Sequence, residues 1–280
     1  MLVVEFEFFL FLVSVFAGVF GSIVGLGGGV VVIPVLTLLL GVDIHFAIGA
    51  SIVAVIATSS GAASTYVRDK VTNLRVGMFL ELATTSGAIT GAAIAAYTNS
   101  ALLGLIFGVI LLISLVPTVM KIGRELPASP ELKGLAKRLK LAGSYTEKDG
   151  KEVQYNAERP AEGLAVAGVA GVLSGLLGIG GGAFKVIGMD ICMKLPMKAS
   201  TATSNFMIGV TAAASAGIYF ARGDVDPVIV APVALGILLG AAIGARILLR
   251  SRNDTVRRAF AIVLALAAIE MILSALGVTP

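Results

Sequence analysis

Lys185 follows Gly180-Gly181-Gly182 by three residues, inside an apolar run that otherwise carries no charge for more than twenty positions upstream. Each glycine costs about 1 kcal/mol relative to alanine in a helix interior, so three in a row end a helix. A helix restarting behind them presents unpaired N–H groups and a partial positive charge, a setting that favours an anion. A lysine one turn further adds a full charge. The same run occurs earlier in the chain: Gly27-Gly28-Gly29 precedes Gly180-Gly181-Gly182 by 153 positions.

Hydroxyls and an amide gather near both copies. Ser51 and Thr58 follow the first, and Thr203, Ser204 and Asn205 follow the second. Such groups donate to an anion without the desolvation cost of a charge. The candidate binding residues are therefore Gly27, Gly28, Gly29, Ser51, Thr58, Gly180, Gly181, Gly182, Lys185, Thr203, Ser204 and Asn205. Each has a plainer reading: glycines as close-packing positions, Ser, Thr and Asn as ordinary interhelical hydrogen-bond formers, and Lys185 as a side chain snorkelling to an interface. Glu81 and Glu270 also fall in apolar stretches, as proton relays or as members of ion pairs, Glu81 with Arg75 one turn away. His45 and Arg246 fit surface and interfacial anchoring roles. The spacing from Gly178 to Ala183 matches a dinucleotide fingerprint, but no flanking βαβ unit or acidic residue ~20 positions on accompanies it.

These residues need elements that hold them at depth. Of 280 residues, 57% are hydrophobic and 14% charged, with a net charge of +4; mean hydropathy is +0.99. Soluble domains are roughly 25% charged. Several apolar runs reach the ~20 residues that cross a bilayer as a helix, without the period-two alternation of a barrel. The expected class is an all-α polytopic membrane protein partnered by the lipid bilayer. The start, with Glu5 and Glu7 and no basic residues, does not read as a secretory signal. One cysteine, Cys192, excludes an intrachain disulfide and a multi-cysteine metal site. No cofactor is expected, and no nucleic-acid partner, because the basic residues have a topological explanation.

The 153-residue offset is an internal repeat. It aligns Ser51 with Ser204, Thr58 with Thr211, Tyr66 with Tyr219, and Gly87 and Gly91 with Gly240 and Gly244. The stripes Ala83-Gly87-Gly91 and Gly236-Gly240-Gly244 read as close helix contacts. Each half has a Gly-broken segment, 6–41 or 161–190, then three spans: 46–66, 76–97 and 101–120, or 200–220, 228–248 and 259–277. Residues 1–120 and 161–280 form two membrane repeats. Between them, 121–160 is a hydrophilic linker with nine Lys/Arg and six Asp/Glu. Within it, Leu132, Leu135, Ala136 and Leu139 share one face of a basic helix expected on the membrane surface, and Asp149-Gly150 centres a hairpin.

Lys and Arg concentrate in short cytoplasmic loops. That rule puts the linker and the Arg68, Lys70 and Arg75 loop inside, and the loops 41–45 and 97–101 outside. Lys194 and Lys198 mark the counterpart of the first outside loop as inside. Arg250, Arg252, Arg257 and Arg258 do the same for the second. The halves are then inverted repeats, both termini are outside, and each broken segment enters and leaves on one side as a helical hairpin. About ten helical pieces result. The hairpin tips should meet near mid-membrane around a polar site, since non-helical backbone at that depth survives only against protein or water.

The doubled GxGGG, Pro34 after the first copy and the "KASTATSN" stretch at 198–205 resemble the sulfite exporter TauE/SafE family of membrane permeases, over nearly the whole chain. Ile187 departs from that pattern, where a second proline is expected. The resemblance implies transport of sulfur-containing anions such as sulfite or organosulfonates, mostly outward across the cell membrane. Alternating-access secondary transport coupled to a proton or sodium ion is one expectation; a passive anion channel lined by the same tips is the other. The sequence offers an enzyme little: it has no HExxH, no paired nucleophile and base, and no carboxylate cluster.

Overall fold

A computed structural model describes residues 3–24, 27–120, 134–146, 152–250 and 254–277. Gly25, Leu132, Asp149, Gly150 and Arg252 lie outside the described residues. The first half contains α1 (Val3–Val24), α2 (Gly29–Pro34), a π-helical turn (Val35–Leu39), α3 (Ile44–Arg68), α4 (Leu74–Ala95) and α5 (Ser100–Met120). After a short helix α6 (Gly134–Arg138) and strands β1 (Ala142–Thr146) and β2 (Glu152–Asn156), the pattern recurs. The second half has α7 (Pro160–Leu177), α8 (Gly182–Ile187), a π turn (Gly188–Cys192), α9 (Met197–Arg222), α10 (Pro227–Arg250) and α11 (Asp254–Ala275). Among the described residues, six helices are long and apolar enough to cross a membrane. The fold is all-α and polytopic. Ten helices belong to the two halves, and α6 in the linker makes the eleventh among the described residues.

Both broken segments form a long arm and a short arm. α7 ends at Gly178, whose positive φ lets its N–H bond Ser174 O at 2.8 Å. The short arms correspond residue for residue: α2 and its π turn, moved by 153 positions, become α8 and its π turn. Each closes with an equivalent bond, Val42 N to Leu36 O and Leu195 N to Met189 O, both 2.9 Å. Ile187 in place of Pro34 does not change this course. The π turn thus has no need of a proline's missing N–H.

The long arms cross over to the opposite half. α1 packs on α10 and α7 on α4, with backbones close enough that only glycine fits. A Cβ on Gly18 would meet Ile237 O, and one on Gly171, its counterpart, would collide with Thr84 O, the counterpart of Ile237. Gly87 meets Gly168 and Val172, while Gly240 meets Val15 and Val19. These are the two small-residue stripes, used as close contacts. Two buried tyrosines follow the same offset: Tyr66 Oη donates to Ser22 O at 3.2 Å, and Tyr219 Oη to Gly175 O at 2.7 Å. At the centre α3 and α9 run in opposite directions, Gly49 lying beside Asp224 and Ser59 beside Gly209.

The loops sort to two ends. At one end Asp43, His45, Thr98 and Ser100 are hydrogen-bonded to one another. Burial alone would raise the Asp43 carboxyl, but hydrogen bonds from His45 and Ser100 outweigh it and hold it below the usual carboxylate value. At the other end the linker hairpin sits on both basic loops. Asn73, which caps α4 by accepting from Val76 N at 3.1 Å, donates to Ala142 O at 3.2 Å. Glu158 N donates to Met193 O at 2.9 Å, and its carboxylate pairs with Lys194 at 2.8 Å. Tyr145 and Tyr155 are buried there with Val71, Met193 and Leu195; burial pushes the Tyr155 phenol up.

Among the described residues the basic helix is α6, five residues long. Positive φ at Lys140 turns the chain into β1 after α6. Ala136 is then buried with Leu141, while Leu135 and Leu139 are exposed. Leu135 is turned about 100° from its neighbour Ala136, and Leu139 lies past the last residue of α6, so the expected common face is not formed among the described residues.

Candidate functional site

The two glycine tips touch one another between α3 and α9. Gly27 has φ +82° and Gly180 φ +71°, and both lie against the same pair of side chains, Val55 and Ile208. Those two residues are themselves 153 positions apart. Gly28 N donates to Thr58 Oγ1 at 3.2 Å. Ser51 Oγ donates across the halves to Gly178 O at 2.6 Å, and Gly29 packs directly on Ser51. On the other side Ser204 Oγ donates to Gly182 O at 3.3 Å. Gly181 has φ +62°, and any Cβ there would collide with Ala170 O. Positive φ together with such contacts is available only to glycine.

Thr203 and Asn205 face elsewhere on α9. Thr203 Oγ1 accepts from Asn73 N at 3.0 Å, towards the linker end. Asn205 Nδ2 donates to Ser22 O at 3.0 Å and Thr201 O at 3.1 Å, clamping α9 to the end of α1. Successive residues of a helix are turned about 100° apart, so only Ser204 of the three addresses the second tip.

Lys185 is 1% exposed and does not reach an interface. Its Nζ donates to Thr211 Oγ1. Thr211 in turn donates to Glu81 Oε1 at 2.6 Å, and Thr85 Oγ1 donates to the same oxygen at 3.1 Å. Thr84 Oγ1 lies 3.4 Å from Thr211. Glu81 Oε2 is buried without a hydrogen-bond partner among the described residues. A lysine and a glutamate are thus bridged by one hydroxyl beside the second tip. Taking such charges from water costs several kcal/mol per ion, so the arrangement is not a cheap way to hold helices together.

The sequence marked Lys185 directly, Glu81 as one of two readings, and Thr211 only as the counterpart of Thr58. The signal for Thr211 was available: a hydroxyl at the position equivalent to a named candidate, on a helix following the tip. Arg75 is not the partner of Glu81; its Nη1 reaches Lys140 O at 3.5 Å. Glu270 is exposed and lines an apolar cavity of about 360 Å³ between α11 and the first short arm. Arg246 is exposed.

Interrupted helical hairpins converging on a buried polar cluster, in a chain of membrane-spanning helices, define the architecture of a membrane transport protein. The family profile described as "Sulfite exporter TauE/SafE" matches residues 10–271. The chain belongs to the TauE/SafE family. It is a multi-pass membrane transporter and not an enzyme. It is 27% identical over 270 residues to the "Probable membrane transporter protein YunE" of Bacillus subtilis (strain 168), covering 94% of this chain and 96% of that one. It is also 27% identical over 237 residues to the "Probable membrane transporter protein YdhB" of the same organism, covering 84% and 87%. No solved structure matches.

Proposed function

We propose that the protein is a secondary transporter that exports small sulfur-containing anions, such as sulfite or organosulfonates, across the cell membrane by alternating access. The observation that carries this reading is Lys185, buried beside the second glycine tip with a hydroxyl for its partner. An anion entering between the tips would take over the ammonium from Thr211 and gain the N–H groups of the glycine backbone. Direct contact of the tips, with Val55 and Ile208 packed on both, supports alternating access over a continuous pore. The inverted arrangement of the halves, with the linker cytoplasmic and both termini outside, is part of the same proposal. The Lys/Arg distribution supports it, as does the gathering of the linker with the 69–73 and 193–196 loops at one end.

Reconstitution tests the reading. Sulfite, sulfate, thiosulfate and sulfonates are presented to proteoliposomes with and without a pH gradient. Saturable flux of at least one sulfur anion, lost in Lys185→Met, is the expected result. Flux that never saturates would mean a channel, and no flux of any sulfur anion would overturn the substrate class.

A further inference from the structure

From the bridge between Lys185 and Glu81 we infer that Glu81 is the site of a coupling proton, taken up together with the anion. The inference rests on the anion site proposed above and adds to it the coupling ion and its stoichiometry; because proton and anion move together, export proceeds when the outward anion gradient exceeds the inward proton gradient.

In the conformation described, the ammonium of Lys185 and the carboxylate of Glu81 share Thr211, so the buried cluster is neutral overall. An anion that pairs with Lys185 brings a second negative charge into the same dry space and leaves Glu81 without its balance. Two carboxylate-like charges in one buried site do not both persist; one takes a proton. Glu81 has an oxygen ready for it, since Oε2 is buried and unpartnered among the described residues. The proton comes from water on whichever side the site is open, an O–H bond forms at Oε2, and Lys185 remains an ammonium throughout. Empty, the cluster is Lys⁺ with Glu⁻; loaded with a monovalent anion it is Lys⁺, anion and neutral Glu. Both are neutral and can reorient. The anion without the proton leaves a net negative charge in the bilayer interior, which is costly.

Among the described residues, Glu81 is the carboxylate hydrogen-bonded into this cluster. α4 is packed by α7 and α9. On α9, Lys198 and Arg222 lie roughly 20 Å and 17 Å along the helix from Thr211. On α7, Glu162 lies about 14 Å from Gly171, the residue facing Thr84. On α4 itself, Arg75 is about 9 Å away and turned to the linker. α5, which touches α8, has no ionisable residue between Ser100 and Met120. Asp190, buried on the π turn about 8 Å beyond Lys185, is engaged in interactions of its own. It serves as the control.

The test uses the purified full-length protein and three probes: sulfite, thiosulfate and methanesulfonate, the last being a strong-acid monoanion that brings no proton. Wild-type protein should bind methanesulfonate, which does not itself titrate, with an affinity that falls about tenfold per pH unit on the alkaline side. Methanesulfonate binding in weak buffer should remove about one proton per anion. In Glu81→Gln, a permanent stand-in for the protonated acid, the pH dependence should vanish and alkaline affinity should rise to the wild-type acidic value. An imposed pH gradient should no longer drive accumulation in that variant. Asp190→Asn should keep both the pH slope and the coupling. If Glu81→Gln does not fold, the wild-type proton count decides alone. Binding of a probe with no proton uptake, or a Glu81→Gln protein that still concentrates it on a pH gradient, overturns the coupling and leaves the anion site standing. Failure of all three probes to bind overturns the functional reading, and the coupling with it.

Discussion

The two hairpins are built to one plan and carry different chemistry. Exchanging Lys185, Thr211 and Glu81 for their counterparts 153 positions away gives Val32, Thr58 and Ala234. The hydroxyl is kept and the charges are gone. In the first half Thr58 accepts from the backbone N–H of Gly28; in the second Thr211 accepts from a side-chain ammonium. Ile237 packs on Gly28 in the first half, whereas its counterpart, Thr84, adds another hydroxyl near Thr211. The tips differ in backbone as well. Gly28 sits in an ordinary helical conformation at φ −69°, and its counterpart Gly181 at φ +62°. Repetition supplies the scaffold, a tip held by a central helix, while one pair of substitutions turns a single copy into a charged site. The other copy is left as an apolar hinge. On the proposed reading, one charged site per chain predicts one anion, and one compensating proton, per cycle.

The largest effect should separate the tips themselves. Gly181→Ala adds a Cβ at positive φ against Ala170 O and should destabilise the protein by about 3 kcal/mol. Gly28→Ala meets side chains alone, chiefly the end of Ile237, which can swing aside, and more loosely Thr58 Oγ1 at 3.3 Å, and should cost about 1 kcal/mol. Unfolding in mixed micelles reads both, and equal losses would mean that the tips are not distinct. The charge comes next. Lys185→Met should weaken anion binding by about ten- to a hundredfold, the worth of a charge-assisted hydrogen bond. Lys185→Arg should recover part of the loss, and Val32→Met should leave affinity alone; a change in the last would show that both copies bind.

Thr58→Val leaves the Gly28 N–H unpaired in the interior and should cost about 1–2 kcal/mol of stability with little change in affinity. Thr211→Val should show the reverse emphasis, altering the pH dependence of binding more than the fold. The smallest effect lies at the loops. Asp43→Asn should weaken the contact with His45 by less than about 1 kcal/mol, because the pair is partly exposed. Its sign follows from the lowered carboxyl. The contribution is present above the unfolded value of 3.8 and is lost as pH falls through the lower folded value. Melting curves against pH, wild type and Asp43→Asn, should therefore converge in acid.

Much of this was readable in the residues because it is local or repeated. The glycine breaks, the short arms, the linker strands around 149 and Lys185 all follow from propensity and the 153-residue offset. What could not be read is contact between distant segments. Glu81 meets Thr211 across 130 positions, and no period in either helix specifies that meeting. The glycines at 28 and 181, equivalent in sequence, adopt φ values of −69° and +62°, and no local pattern distinguishes them. The amphipathic pattern from Leu132 to Leu139 carries no signal for its own end, which the positive φ at Lys140 sets by turning the chain into β1.

The crossing of the long arms has a consequence for how the molecule is made. α1 lies against α10, so its glycine-lined face has no permanent neighbour until Pro227 and the residues after it have been synthesised, some two hundred positions later. At about 5–20 residues per second, that is a wait of about 10 to 40 seconds. During that interval the first hairpin is inserted but unclasped, its tip lacking both Ile237 and Ile208. Premature release of the chain before α10 would leave the first hairpin without the helix it packs on, its tip held only by bonds within its own half such as Gly28 N to Thr58 Oγ1.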